Sequence, residues 1–508
     1  MTPEDFADLL TPEGRALLDS LRDHDPAQEL AVATRLRRDH PAHLVSAALG
    51  QARLRQRAVA KFGAEDAFRM YFTPGGAEMA TRAAVAAYRA GRLAALGVRS
   101  VADLCCGIGG DALALARLGI RVLAVDRDPL TAAVARANAE ALGLAELIEV
   151  READVTTVDT TGYDAVFIDP ARRGGRGRIF DPESYSPPLS WAVETARAAG
   201  TAAIKIAPGI PHEAVPAGAE AEWISDHGDV KEAVLWFGTP DPAPAGRATA
   251  PADGPTTGEA AAAAPDGVAG RADSGPARDA GATAGAAPDT GPATETGDPA
   301  DRPATGAAPD GVAGSAGSGR SPGNGGRAGR GPAPQAAPTR SGLASPAGGP
   351  DAVAGRGAVV RATLLPGPRT LRRSGPMVEA PVGPVGRYLY EPDGAVIRAH
   401  LVAEVAERLG GRLIDPTIAY VTADELIATP YATAYEITDV LPFGLKKLKA
   451  LLREREVGIL TVKKRGSAIE PEELRKKVKP QGPHAATVFL TRVAGAPSML
   501  IGSPVSAP

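Results

Sequence analysis

The chain is poor in aromatic residues, at 4% of 508, and in cysteine, of which it has two, adjacent at Cys105 and Cys106. Neighbouring cysteines cannot staple distant segments, so no disulfide framework and no four-thiolate zinc site is expected. With few aromatics, large buried side chains must be confined to limited stretches. No run of about 18 apolar residues occurs, which argues against a membrane-spanning helix. The start, Met1-Thr2-Pro3-Glu4-Asp5, lacks the cationic and apolar parts of a secretion signal, so a cytoplasmic protein with no membrane partner is expected. No cluster of metal-ligating residues is visible, and no metal is expected. The formal charge of −4 does not mark a nucleic-acid binder, so any basic surface must be local.

What is present divides the chain into two or three domains. Residues 1–62 read as a helical region. Thr2-Pro3-Glu4 and Thr11-Pro12-Glu13 each set a capping hydroxyl before proline and an acid. Arginines recur from Arg35 to Arg57, on a solvated amphipathic bundle or on a face for RNA. From 63 to 240, strand and helix patterns alternate. Strands are expected at 101–104, 121–126, 147–151, 165–169, 202–206, 222–225 and 232–237, with helices between the first five, notably at 111–118 and 130–142. This predicts an α/β fold of the Rossmann-like, doubly wound type, with a largely parallel sheet.

Residues 241–357 are Ala, Gly, Pro, Ser and Thr with almost no large apolar side chain, and Ala-Ala-Pro-Asp-Gly-Val-Ala-Gly occurs at both 263–270 and 307–314. Such a segment cannot offset its ordering entropy and reads as a long disordered insert. A strand at 361–365 then pairs with 232–237 as an overgrown hairpin, so that 358–370 completes the sheet edge. Residues 373–503 read as a small α+β domain with helices at 396–409 and 443–455 and strands at 459–463, 486–491 and 498–501.

The densest signal is Val101-Ala-Asp103-Leu-Cys105-Cys-Gly107-Ile-Gly109-Gly-Asp111. A buried strand ends in an acid, and a glycine-rich turn opens a helix whose free N–H groups suit an anion. Twenty-three residues beyond Asp103, Asp126 closes the second strand, where an acid can accept from both ribose hydroxyls of a nucleoside. Gly107, Gly109 and Ala112 also satisfy a loose dinucleotide pattern, so a nicotinamide-dependent oxidoreductase is open at this point. Three features tip the balance: Asp103 precedes the glycines, Asp154 follows the third strand, and Asp169-Pro170-Ala171-Arg172 follows the fourth.

Over about 71–238 these residues resemble class I S-adenosylmethionine-dependent methyltransferases. The resemblance implies S-adenosyl-L-methionine as cofactor, with Asp103, Cys105, Gly107 and Gly109 around its methionine part, Asp126 on the ribose and Asp154 on the adenine. Cys105 stands where the family has its first glycine. Tyr71-Phe72-Thr73-Pro74 resembles a segment that helps roof the cofactor in several RNA methyltransferases; an ordinary helix cap at Thr73 is the alternative. Asp169-Pro170-Ala171-Arg172 is similar to motifs of amino- and ring-nitrogen methyltransferases acting on nucleic acids, which implies catalytic roles for Asp169, Pro170 and Arg172. The second proline and the following aromatic of that motif are absent. Phe180, Tyr185 and Trp191 are candidate stacking groups, and Arg172, Arg173, Arg176 and Arg178 crowd the same loop. Carbon-5 methylation of pyrimidines needs a cysteine nucleophile near the substrate, and both cysteines lie in the cofactor turn, so that mechanism is not expected.

From Lys446 to Lys479 twelve Lys or Arg face five Glu, a surplus of +7. Phosphate binding suits such a patch. Gly386-Arg-Tyr-Leu-Tyr-Glu-Pro392, the 445–452 helix and Ile459-Leu-Thr-Val-Lys-Lys-Arg-Gly466 resemble the THUMP-like domain attached to such methyltransferases in actinobacteria, which implies RNA as partner. The expected function is thus a methyltransferase modifying a base nitrogen in RNA. Action on a protein or small molecule, or cofactor binding without turnover, are the other readings. Oligomeric state is not addressed by the sequence.

Overall fold

The computed structural model describes residues 1–171, 173–174, 177–178, 181–239 and 359–505; the expected disordered insert, 241–357, lies outside the described residues. The chain opens with helices α1 (Pro3–Leu9), α2 (Pro12–Ser20), α3 (Glu29–Leu36) and α4 (Ala42–Ala67). Both capping threonines act. The Thr2 hydroxyl accepts from Asp5 N at 3.1 Å while the Asp5 carboxylate accepts from Thr2 N at 2.9 Å, and Thr11 accepts from Gly14 N at 3.1 Å. These bonds satisfy first-turn N–H groups that have no acceptor within the helix. α4 bends at Gly63, at φ +77°. The arginines here are not all solvated: Arg55 is 5% exposed and donates through Nε to Met70 O at 2.9 Å.

Helices α5 (Pro74–Met79) and α6 (Ala83–Ala95) lead into β1 (Ser100–Leu104), α7 (Gly110–Ala116), β2 (Arg121–Asp126), α8 (Pro129–Ala141), β3 (Ile148–Glu152) and β4 (Ala165–Ile168). A helix expected between β3 and β4 is replaced by a single 3-10 turn, Val155–Thr157. Asp154 and Asp159 there bind the backbone N–H two residues on, at 2.9 and 2.8 Å, which favours turns over helix. A short hairpin, β5 (Arg173–Gly174) with β6 (Gly177–Arg178), is followed by α9 (Leu189–Ala199), β7 (Ala202–Ile206), β8 (Glu220–Asp226), β9 (Asp229–Phe237), β10 (Val360–Leu365) and β11 (Arg369–Arg373).

The strands form one nine-stranded sheet in the order β11-β10-β8-β9-β7-β4-β1-β2-β3. β3, β2, β1, β4 and β7 run parallel, and β9 enters antiparallel. Alternation puts Val101, Val122 and Phe167 in the core with the α6–α8 side, and Ala102, Leu123 and Ile168 in the core with α9. The chain leaves β1 in one direction and reaches β4 in the other, so a crevice opens beyond the carboxyl ends of these two strands.

The expected pairing of 232–237 with 361–365 does not form. β8 lies between them, antiparallel to β9 and parallel to β10, and the outermost strand is β11. β8 and β9 close on the tight turn at His227-Gly228, leaving the far side of β8 for β10. Arg361 then pairs with Glu220 at 2.7 Å, and Thr363 donates to the buried Glu222 at 2.6 Å. Trp236 of β9 and Val360 of β10 lie opposite Glu220 and Ala221, so both strands meet the same end of β8.

Beyond β11 come β12 (Tyr388–Pro392), α10 (Gly394–Arg398), α11 (Val402–Arg408), β13 (Arg412–Asp415), β14 (Ile418–Ala423), β15 (Ala432–Pro442), α12 (Leu445–Glu454), β16 (Val457–Lys464), α13 (Pro471–Val478), β17 (His484–Val493) and β18 (Ala496–Val505). The one helix expected over 396–409 is two. His400 takes φ +53° and Leu401 N bonds back to Val396 O at 3.0 Å, a left-handed closure that ends α10. The seven strands order as β13-β14-β12-β15-β18-β17-β16, and α12 and α13 cover one face through Leu448, Leu452, Leu474 and Val478.

Candidate active site

A cavity of about 530 Å3 occupies the crevice, lined among others by Thr73, Cys105, Gly107, Asp126, Asp169 and Pro170. Its floor is the turn after β1. Cys105, Gly107 and Gly109 take φ of +66°, +58° and +86°, left-handed values that cost a glycine little and a cysteine more. The Asp126 carboxylate holds this turn, accepting from Gly107 N and Asp128 N at 3.0 Å each. Burial raises the Asp126 carboxyl above its ordinary value, against the pull of those two N–H groups.

Asp103 lies beneath the turn, fully buried, and neither of its oxygens has a hydrogen-bond partner among the described residues. Burial, with Asp111 and Asp169 nearby, holds its carboxyl well above the usual carboxylate range. Burial likewise pushes the Cys105 thiol up, and Asp169, Asp126 and Asp103 add to that.

The roof is the segment from Tyr71 to Met79. Two amide side chains grip it as a neighbouring strand would. Gln51 from α4 accepts from Phe72 N at 3.0 Å and donates to Phe72 O at 2.5 Å. Asn138 from α8 accepts from Tyr71 N at 2.7 Å and donates to Tyr71 O at 3.1 Å and Ile108 O at 2.9 Å. Thr73 caps α5, accepting from Gly76 N at 2.9 Å, while also lining the cavity. A Cβ on Gly76 would stand 2.3 Å from Ile108, so α5 rests directly on the glycine turn.

Asp169 leads the wall beyond β4. Its Oδ2 accepts from Lys205 Nζ at 2.6 Å, and Lys205 also donates to Thr81 at 2.9 Å. Thr81 donates to Asp111 at 3.0 Å, and the buried Arg89 binds Asp111 and Glu232 together. Burial alone would raise the Asp111 carboxyl, but Arg89 and Lys205 outweigh it and leave it below its ordinary value.

The structure thus brings together Thr73, Cys105, Gly107, Asp126, Asp169 and Pro170, with Asp103 buried behind them; Gly109 is not among the residues lining the cavity, and a Cβ there would stand 3.5 Å from Ala135. Asp154 stands apart. It is exposed, accepts from Thr156 N and Oγ1 at 2.9 and 2.7 Å, and is not among the residues lining the cavity. Arg172, Arg176 and Phe180 lie outside the described residues, and Arg173 and Arg178 are described only as backbone of β5 and β6. Tyr185 is buried at 4% and Trp191, on α9, is half-buried against the apolar core; neither is among the residues lining the cavity. Sequence reasoning missed Lys205, Thr81, Arg89 and Glu232. A signal existed for Lys205, the one charge in the buried strand Ala-Ala-Ile-Lys-Ile.

Comparisons with known proteins agree with this geometry. Residues 101–171 match a family described as a methyltransferase domain, 432–504 a family described as THUMP domain-like, and 2–58 a domain of unknown function. An uncharacterized S-adenosylmethionine-dependent methyltransferase of Mycobacterium tuberculosis is 28% identical over 451 residues, covering 87% of this chain and 90% of its own length. A 23S rRNA (uracil(1939)-C(5))-methyltransferase of Edwardsiella ictaluri is 41% identical over 104 residues, only 19% of this chain and 24% of that protein. The crystal structure of a candidate methyltransferase from Porphyromonas gingivalis W83 superposes with a TM-score of 0.59 at 18% identity, covering 95% of this chain and 99% of that one; it shares the fold.

Proposed function

We propose that this chain, an S-adenosylmethionine-dependent methyltransferase with a C-terminal THUMP-like domain, methylates a base nitrogen in RNA, in the cytoplasm. The observation that carries the nitrogen assignment is the Asp169 carboxylate on the cavity wall, with one oxygen bound by Lys205 and the other without a partner among the described residues. The residues present fit the cofactor. The orphaned carboxylate of Asp103 sits below a turn with no Cβ at Gly107, and Asp126 stands at the end of β2 where a ribose would be met. In this reading Cys105, Gly107 and Gly109 cradle the methionine part and Thr73 closes over it. When bound, S-adenosylmethionine supplies an electrophilic methyl group on a positively charged sulfur.

The chain's own residues then have to orient the acceptor. An open oxygen on Asp169 accepts a hydrogen bond from an N–H of the base, which turns the nitrogen lone pair toward the incoming methyl. Pro170 stiffens the turn that carries the carboxylate. The partial likeness to 23S rRNA uracil C5-methyltransferases supports RNA as the substrate class, but not the same atom. C5 chemistry needs a thiolate, and burial, with Asp169, Asp126 and Asp103 adding to it, pushes the Cys105 thiol up and so disfavours one.

RNA as partner is further supported by α12 and α13. Lys446, Lys447, Lys449, Arg453, Lys476 and Lys479 are exposed and form no ion pair among the described residues, an array suited to phosphates. The test is methyl transfer from labelled cofactor to RNA from cells lacking the protein. Label that nuclease releases, and that falls about 100-fold or more in Asp169→Ala, is the expected result. Label that stays in protein after nuclease treatment would sink the RNA assignment.

A further inference from the structure

We propose that Lys205 is a positioning residue that holds Asp169 by one oxygen, so that its other oxygen is fixed toward the cavity as the acceptor for the N–H of a nitrogen nucleophile. This rests on the methyltransferase reading above. Lys205 is 4% exposed on β7, and its ammonium, which can only donate, spans Asp169 Oδ2 at 2.6 Å and Thr81 Oγ1 at 2.9 Å. The direction of the chain is fixed. Thr81 has one hydroxyl proton and commits it to Asp111 at 3.0 Å, so it must accept from Lys205. Asp111 is anchored in turn by Arg89, which also binds Glu232 and stacks 4.6 Å over the Phe167 ring on the neighbouring strand β4.

This arrangement leaves Asp169 one oxygen, Oδ1, with no hydrogen-bond partner among the described residues, on a side chain 27% exposed. That oxygen can accept an N–H of the base and so turn the nitrogen lone pair toward the methyl. The nitrogen's electron pair forms the N–CH3 bond, the S–CH3 bond breaks with its pair left on sulfur, and the nitrogen becomes cationic. It then releases a proton to Asp169 Oδ1, from which solvent takes it.

The experiment measures kcat and KM, with labelled methyl incorporation into macromolecules from cells lacking the protein, and identifies the methylated atom by mass spectrometry. Lys205→Met is expected to lower kcat about 100-fold with KM for S-adenosylmethionine within about twofold. Lys205→Arg, which keeps a cationic donor, should restore kcat to within about tenfold, and in an Asp169→Asn background Lys205→Met should add less than about twofold. Should Lys205→Met not fold, Lys205→Gln, which keeps a donor without the charge, takes its place in the same series. A loss confined to KM, no rescue by Lys205→Arg, or full additivity with Asp169→Asn each overturns the proposal. Methyl found on oxygen, or label in nuclease-resistant material, would instead overturn the nitrogen or RNA reading it rests on, and the split between kcat and KM would still decide the role of Lys205.

Discussion

The crevice and the outer face of α12–α13 are both crowded with charge, yet they handle it in opposite ways. In the crevice Arg89 and Lys205 are almost fully buried and each donates to two named acceptors or more. On α12 the lysines lean into solvent above a buried Leu448–Leu452 seam, with no partner of opposite sign among the described residues. Buried charge is dear to desolvate and so is fixed in place, which suits aiming a substrate atom. Exposed, unpaired charge is mobile and screened by salt, which suits gripping a polyanion of any sequence.

The contrast is broken most sharply at Arg89. Arg89→Leu strands Asp111 and Glu232, and urea unfolding is expected to show a loss of about 3–5 kcal/mol. Asp103 gives the next effect, through pH. Its folded carboxyl is raised, so the native state holds a proton that the unfolded chain releases above about pH 4. Its contribution is therefore intact at low pH and declines as pH rises toward the folded value, by up to about 1.4 kcal/mol per unit. Asp103→Asn should remove that slope in unfolding measured at pH 5 and pH 8 without cofactor. Asp126→Ala should weaken S-adenosylmethionine binding about tenfold by calorimetry, without change in RNA affinity. The mildest change to the fold belongs to the exposed side. Replacing Lys446, Lys447 and Lys449 by alanine should leave stability within about 0.5 kcal/mol. It should reduce the slope of log RNA affinity against log salt by about 0.7 for each phosphate no longer neutralised, leaving cofactor affinity untouched.

Much of the catalytic sheet was legible because each parallel strand is a short apolar run ending at a turn, and the glycines after Asp103 suit the left-handed backbone of a tight turn. Thr2 and Thr11 were legible as caps because a hydroxyl before proline and an acid satisfies the first turn locally. What sequence could not resolve was non-local. The order β9-β8-β10 depends on Arg361 and Thr363 finding Glu220 and Glu222, residues about 140 positions away. Asp154 followed its strand as expected, yet the two donors of Thr156 hold it in its own turn. Lys205 was visible as an oddity in an apolar strand, but only the fold reveals that Asp169 is what it touches.

The way β9 and β10 flank β8 also bears on engineering. Trp236 and Val360 sit level with Glu220 and Ala221, at the opposite end of the sheet from the crevice. Strands two places apart are separated by about 10 Å, a gap that three or four extended residues span. The sheet therefore asks nothing of residues 240–358 beyond bridging that short step. Splicing Thr239 to Val359 with a brief Gly-Ser linker should yield a shorter enzyme of undiminished turnover.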